Sequence, residues 1–158
     1  MLSFFLLLFP HLLALQNGYD TIQLSNLTID GVALLFENKH VLVKQFGKPD
    51  KIETIVSDFT NDKYRVFHYG KDIFQISAKG IVVSFLLESN KYSITNKQIK
   101  VGVPREVIME IFPNSSRKTI TSKGIEYLRV QVDQEEDMFL GFSFAEQKVK
   151  EIKIWYNE

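Results

Sequence analysis

Glu37-Asn38-Lys39-His40-Val41-Leu42-Val43-Lys44-Gln45-Phe46-Gly47-Lys48-Pro49 is the stretch on which the reading of this chain turns. Asn38 is a good N-cap, because a short polar side chain can accept from the free N–H groups of a first helical turn. Leu42 and Phe46 fall four apart on one face, and Gly47 followed by Pro49 supplies a stop, so a short helix ending in Phe-Gly-Lys-Pro is expected. Upstream, Asp30-Gly31 lies between the alternating stretches 24–29 and 32–36, the strongest short-range signal for a tight hairpin. Downstream, 52–57, 63–69, 72–76 and 81–87 are rich in branched and aromatic residues. Asn61-Asp62, Gly70-Lys71 and Lys79-Gly80 separate them, and four strands are expected.

The same order then recurs. Val101-Gly102-Val103-Pro104 opens a second helix over 105–111, with Pro104 placed for its first turn and Phe112-Pro113-Asn114 closing it. Strands are expected at about 118–121, 126–133, 138–144 and 149–156. The fold class is therefore α+β, built as two tandem repeats of a short helix followed by a four-strand antiparallel meander. The repeats are placed at 16–92, with the N-terminal hairpin, and 93–158. A linker is expected near 88–98, where Ser89-Asn90-Lys91, Ser93 and Asn96-Lys97-Gln98 cluster.

Superposing Pro49 on Pro113 sets Tyr64-Arg65-Val66 opposite Leu128-Arg129-Val130, and extra residues at 134–137 bring Ile76-Ser77-Ala78 onto Phe144-Ala145-Glu146. Alternation in a half-buried strand sends every second side chain to the core. Leu128, Val130 and Val132 form one inward set and Leu140, Phe142 and Phe144 another, so the superposition turns Tyr64, Val66 and His68 inward. Arg65, Phe67, Tyr69, Tyr127, Arg129 and Trp155, with Lys153, are left outward as a mixed aromatic and basic surface, the composition of protein-interface anchors. The alternative is that the N-terminal strands or the other repeat cover this face, which would make its aromatics ordinary core.

Residues 2–15 are apolar apart from Ser3 and His11, too short a run for a spanning helix but right for the apolar region of a secretory leader. A signal peptide over 1–15, cut after Ala14 or Leu15, predicts a periplasmic or secreted protein with no membrane span after cleavage. The alternatives are an uncleaved anchor or an apolar first strand. Of 158 residues 45% are hydrophobic, with 13 Phe and 6 Tyr, so the chain is globular. Its 19 basic and 19 acidic residues cancel, which removes any broad attraction to nucleic acid or anionic lipid. Cysteine is absent, excluding disulfides, thiolate metal sites and thiol catalysis.

Nothing in the motifs nominates an enzyme. His40 and His68 stand in no metal-ligand or catalytic spacing, no Gly-x-Ser-x-Gly occurs, and no glycine pattern cradles phosphate. No metal and no cofactor are expected. Asp133-Gln134-Glu135-Glu136-Asp137 lacks the alternating ligands of a calcium loop and reads as a solvated hairpin tip. The function expected is a non-enzymatic protein-binding module whose partner is another envelope or extracellular protein. Two alternatives stand behind it: a carrier of a small apolar ligand in a cavity lined by Phe74, Phe85, Phe142 and Phe144, and an envelope hydrolase using His68 as proton carrier.

Phe46-Gly47-Lys48-Pro49, Val101-Gly102-Val103-Pro104-Arg105-Glu106-Val107 and the strands after each carry a resemblance to a known architecture. The chain resembles, over about 28–156, the tandem helix-plus-sheet units of the β-lactamase-inhibitor-protein-like fold, shared with the outer-membrane assembly lipoproteins of the SmpA/OmlA type, or another exported bacterial family with that fold. The second helix departs from the pattern in ending Ile111-Phe112-Pro113 without glycine, and no lipid-bearing cysteine is present. The resemblance implies a module whose sheet face contacts another protein, and it brings no catalytic residues.

Overall fold

The computed structural model describes residues 18–57, 61–95, 99–133 and 137–156. The leader expected at 1–15 and the centre of the acidic run, 134–136, lie outside the described residues. The protein is α+β, with few helices and a large mixed sheet. Strands β1 (Thr21–Ile22), β2 (Thr28–Ile29) and β3 (Val32–Ala33) precede helix α1 (Lys39–Phe46), and β4 (Lys51–Val56), β5 (Lys63–Tyr69), β6 (Asp72–Ile76) and β7 (Val82–Leu87) follow it. Helices α2 (Arg105–Ile111) and α3 (Pro113–Ser116) then lead into β8 (Ile120–Ser122), β9 (Ile125–Val132), β10 (Met138–Ala145) and β11 (Lys148–Tyr156).

Local chemistry explains the elements. Asp30 and Gly31 take φ of 48° and 80°, the left-handed pair that a two-residue hairpin turn needs, and join β2 to β3. That hairpin is shorter than the sequence pattern indicates, because Leu24–Asn26 coils into a 3-10 turn. Asn38 caps α1 as expected, its Oδ1 accepting from the His40 N–H at 3.0 Å. Gly47 ends α1 at φ 84°, its N–H donating to the Val43 carbonyl at 2.9 Å. Phe112-Pro113 does more than close α2: Phe112 leaves the helical region and Pro113 starts a fresh turn, α3, as a residue with no N–H to lose can.

One sheet runs β1-β9-β10-β11-β7-β6-β5-β4, with β8 also on β9; β1 joins parallel and the other pairs are antiparallel. Its two halves meet where β7 pairs β11, Leu87 opposite Ile152 and Leu86 opposite Lys153. Helices α1, α2 and α3 pack on one face. Phe46 of α1 stacks on Phe74 at 5.8 Å, and Phe112, between α2 and α3, lies 5.9 Å from Phe142. The register carries Phe67, Phe74 and Phe85 onto the same face as Leu87, Ile152, Phe142 and Leu128, so one continuous core lies beneath the helices.

Several details occur in both halves. The first N–H of α1, on Lys39, donates to the Gly80 carbonyl at 2.8 Å, and that of α2, on Arg105, to the Gln147 carbonyl at 2.9 Å. The register shifts between Gln75 and Ile76 in β6 and between Ser143 and Phe144 in β10. Within the polar stretch expected to be a linker, Tyr92 and Ile94 are buried in the core, as is Ile99 just beyond it, and Asp72, itself buried, accepts from the N–H groups of Glu88 and Ser89 at 2.8 and 2.9 Å.

Candidate functional site

The face opposite the helices carries the candidate site, and it divides the residues singled out from the sequence. Tyr127, Arg129, Lys153 and Trp155 lie on it, as expected. Phe67 and Tyr69 do not: they are 4% and 5% exposed on the covered face, where Tyr69 meets Phe46 at 6.1 Å and Phe74 at 5.8 Å. Arg65 is exposed but belongs to the face of Phe67, opposite Thr54 and Ile76. Tyr64, Val66 and His68, expected inward, lie on the uncovered face. The cause is strand phase. β5 joins β6 through the two-residue turn Gly70-Lys71 with Phe67 opposite Phe74, whereas Leu128 faces Phe142 across a longer β9–β10 connection. Phe67, and not Tyr64, is therefore the counterpart of Leu128, and a difference of three residues, being odd, exchanges the two faces.

One cross-strand row runs over the uncovered face from Lys51 through His68, Ile73, Leu86, Lys153 and Gly141 to Arg129. At its β9–β11 end the side chains interlock. Tyr127 and Trp155 meet edge to face at 6.1 Å. The Arg129 guanidinium lies 5.8 Å from the Trp155 ring, 5.2 Å from Phe139 and 5.7 Å from Tyr19, and donates to the Tyr19 hydroxyl at 3.3 Å. Lys153 Nζ stands 5.0 Å from Trp155 and 5.8 Å from Tyr127, and pairs with Glu151 at 3.1 Å. Each cation is held near ring faces within cation–π range, and the side chains are half-buried. Gly141 lies within the group, and a Cβ there would meet Lys153 Cγ at 3.8 Å and Trp155 Cε3 at 3.9 Å, ordinary contact distances.

At the other end, His68 Nε2 lies 3.0 Å from Glu53 Oε2, and Lys51 also pairs with Glu53. Hydrogen bonds from Lys51 first and His68 second hold the Glu53 carboxyl below the usual carboxylate range. This is a surface ion cluster. Ile73 and Leu86, half-buried, form the apolar middle of the row. Among the described residues no three His, Asp or Glu side chains converge in a way that could hold a metal ion. Phe74, Phe85, Phe142 and Phe144, proposed as cavity walls, are packed side chains of the core.

Sequence reasoning missed Tyr19, Phe139 and Gly141. Phe139 and Gly141 were accessible to it, since the inward set Leu140, Phe142 and Phe144 leaves Phe139, Gly141 and Ser143 on the other face. Tyr19 was not: it follows the expected leader, and only the parallel pairing of β1 with β9 brings it beside Arg129.

No protein-family model matches the chain, and no curated protein matches it. Among solved structures, the chain is similar to an extracellular protein containing an SCP domain from Bacillus anthracis str. Ames, with a TM-score of 0.50 and 12% identity, over 78% of this chain and 44% of that one. The chain thus spans less than half the length of that protein, and the likeness is one of fold. A candidate beta-lactamase inhibitor protein from Streptococcus mutans aligns with a TM-score of 0.31 and 14% identity, over 73% of this chain and 81% of that one. Among the described residues no helix is long and apolar enough to cross a membrane.

Proposed function

We propose that this chain is a non-enzymatic protein-binding module acting outside the cytoplasm, and that its contact surface is the uncovered sheet face around Tyr127, Arg129, Lys153 and Trp155, with Tyr19 and Phe139 beneath. One observation carries the reading: two cations interleave with rigid aromatic rings on a sheet face that, among the described residues, no helix covers. Trp, Tyr and Arg dominate measured binding energies, and the rigid Trp and Tyr bury large areas at little entropic cost. Glu151 and Glu53 break the positive field, so the surface suits a partner with apolar and acidic groups rather than a polyanion.

The finer fold reading belongs here too. The matching helix-to-turn hydrogen bonds of Lys39 and Arg105 and the matching register shifts in β6 and β10 support two copies of one helix-plus-meander unit, as in the β-lactamase-inhibitor-protein-like fold. The apolar run before Gln16 supports export, and the Bacillus anthracis neighbour is itself an extracellular protein. The test is quantitative capture of partners from the envelope and secreted fractions of the source organism, comparing the purified protein with an Arg129→Ala/Trp155→Ala variant of unchanged circular dichroism. A partner bound by the first and weakened by more than ~2 kcal/mol in the second is expected. An identical set of proteins at identical affinity on both would overturn the assignment.

A further inference from the structure

We infer that the outer edge of β4 is a self-association site, pairing antiparallel with β4 of a second copy of this chain about a two-fold axis at Thr54. This goes beyond the binding face, which lies at the other side of the sheet. β4 ends the strand order, and among the described residues no strand pairs with its outer edge. The opposite edge is broken into two short strands, β1 of two residues and β8 of three. On the outer side of β9, β8 occupies Ile125–Tyr127 and β1 occupies Gln131 and Val132. An unpaired edge offers a row of N–H and C=O groups to another strand, and proteins usually guard it with charge, proline or brevity. β4 has six residues and no proline, and its two charges, Lys51 and Glu53, are engaged with each other and with His68. Ile52, Ile55 and Val56 are left 55%, 38% and 52% exposed on it.

The sequence of the strand also selects the occupant and the register. Residues opposite one another across an antiparallel pair share a face, so a self-pair centres on one residue. Two registers use five residues of each strand. Centred on Glu53, the pair would set two Glu53 carboxylates against each other, a destabilising like-charge contact. Centred on Thr54, it sets Thr54 against Thr54 and, on the same face, Ile52 against Val56 of the second copy, twice over by symmetry. That register sets the exposed Ile52 and Val56 of both edges against like partners, with Ile55 opposite Glu53 on the other face, and isologous pairing of one patch with itself is how two-fold dimers close. Each dimer would carry two copies of the Arg129 and Trp155 surface.

Sedimentation equilibrium of the intact protein between about 1 and 100 µM, a span in which such weak dimers populate, reads the association directly. Dimer is expected, weakened at least tenfold by Ile52→Lys and by Val56→Lys, each of which sets a Lys against an apolar partner, and unchanged by Trp155→Ala. Because the chain has no cysteine, register is read by single-cysteine variants. Opposite Cα atoms about 4.5–5.5 Å apart lie within disulfide reach, so Thr54→Cys should give a covalent dimer on mild oxidation and Glu53→Cys should not. A monomer throughout the range, a dimer indifferent to both lysine variants, or cross-linking through Glu53→Cys alone would overturn the inference.

Discussion

Tyr69 shows how one side chain binds two elements. Its hydroxyl donates to the Gly47 carbonyl at 3.0 Å, so the residue that stops α1 is tied to the end of β5, while its ring packs on Phe46 and Phe74. Tyr69→Phe removes that hydrogen bond alone and should cost about 1 kcal/mol in urea denaturation. Tyr69→Ala removes the ring as well and should cost about 3–5 kcal/mol, the loss expected for a truncated core aromatic. Burial first, and then the neighbouring Tyr92 and Asp50, push the Tyr69 phenol up to about 12. The fold thus favours the neutral phenol, whereas the unfolded chain ionises it near 10. Its contribution is intact below that value and is lost as pH rises through about 12. Stability measured across this window should fall more steeply in the wild type than in Tyr69→Phe, and equal alkaline slopes would contradict the placement.

Helix ends and strands were legible because their signals are local. Asn38, Gly47, the Asp30-Gly31 turn and the runs of branched residues each act within a few positions, and β5, β6 and α2 occupy the ranges the pattern indicates. Asn38→Ala should therefore cost about 1 kcal/mol through the lost cap, measured by thermal or urea unfolding. The faces of β5 were not legible, because phase depends on how many residues each hairpin connection consumes. From Pro49 to Phe67 the first half runs 18 residues, whereas from Pro113 to Leu128 the second runs 15, so the two strands are out of step by an odd number relative to the proline alignment. That is why Phe67 and Tyr69 were expected in a surface that only Tyr127, Arg129, Lys153 and Trp155 form. Phase is non-local in sequence, although Leu140, Phe142 and Phe144 already fixed it within β10.

At the scale of the molecule, the stretch expected as a linker sends Tyr92 and Ile94 into the core, and the sheet is continuous through β7 and β11. Tyr92, Ile94 and Ile99 bury their side chains in the cluster that includes both Phe74 and Phe142. Polar composition hid this, since each of those apolar residues is flanked by polar ones. The two halves should consequently unfold together, with far-ultraviolet circular dichroism and tryptophan emission giving coincident transitions; separated transitions would mean that the β7–β11 junction is weak. Trp155 is the single tryptophan of the chain and lies in the proposed contact surface, which makes it a built-in reporter. The decisive measurement is acrylamide quenching of Trp155 in the free protein and in the saturated complex with a captured partner. Strong protection in the complex is predicted, and quenching unchanged by the bound partner would contradict a binding surface on this face.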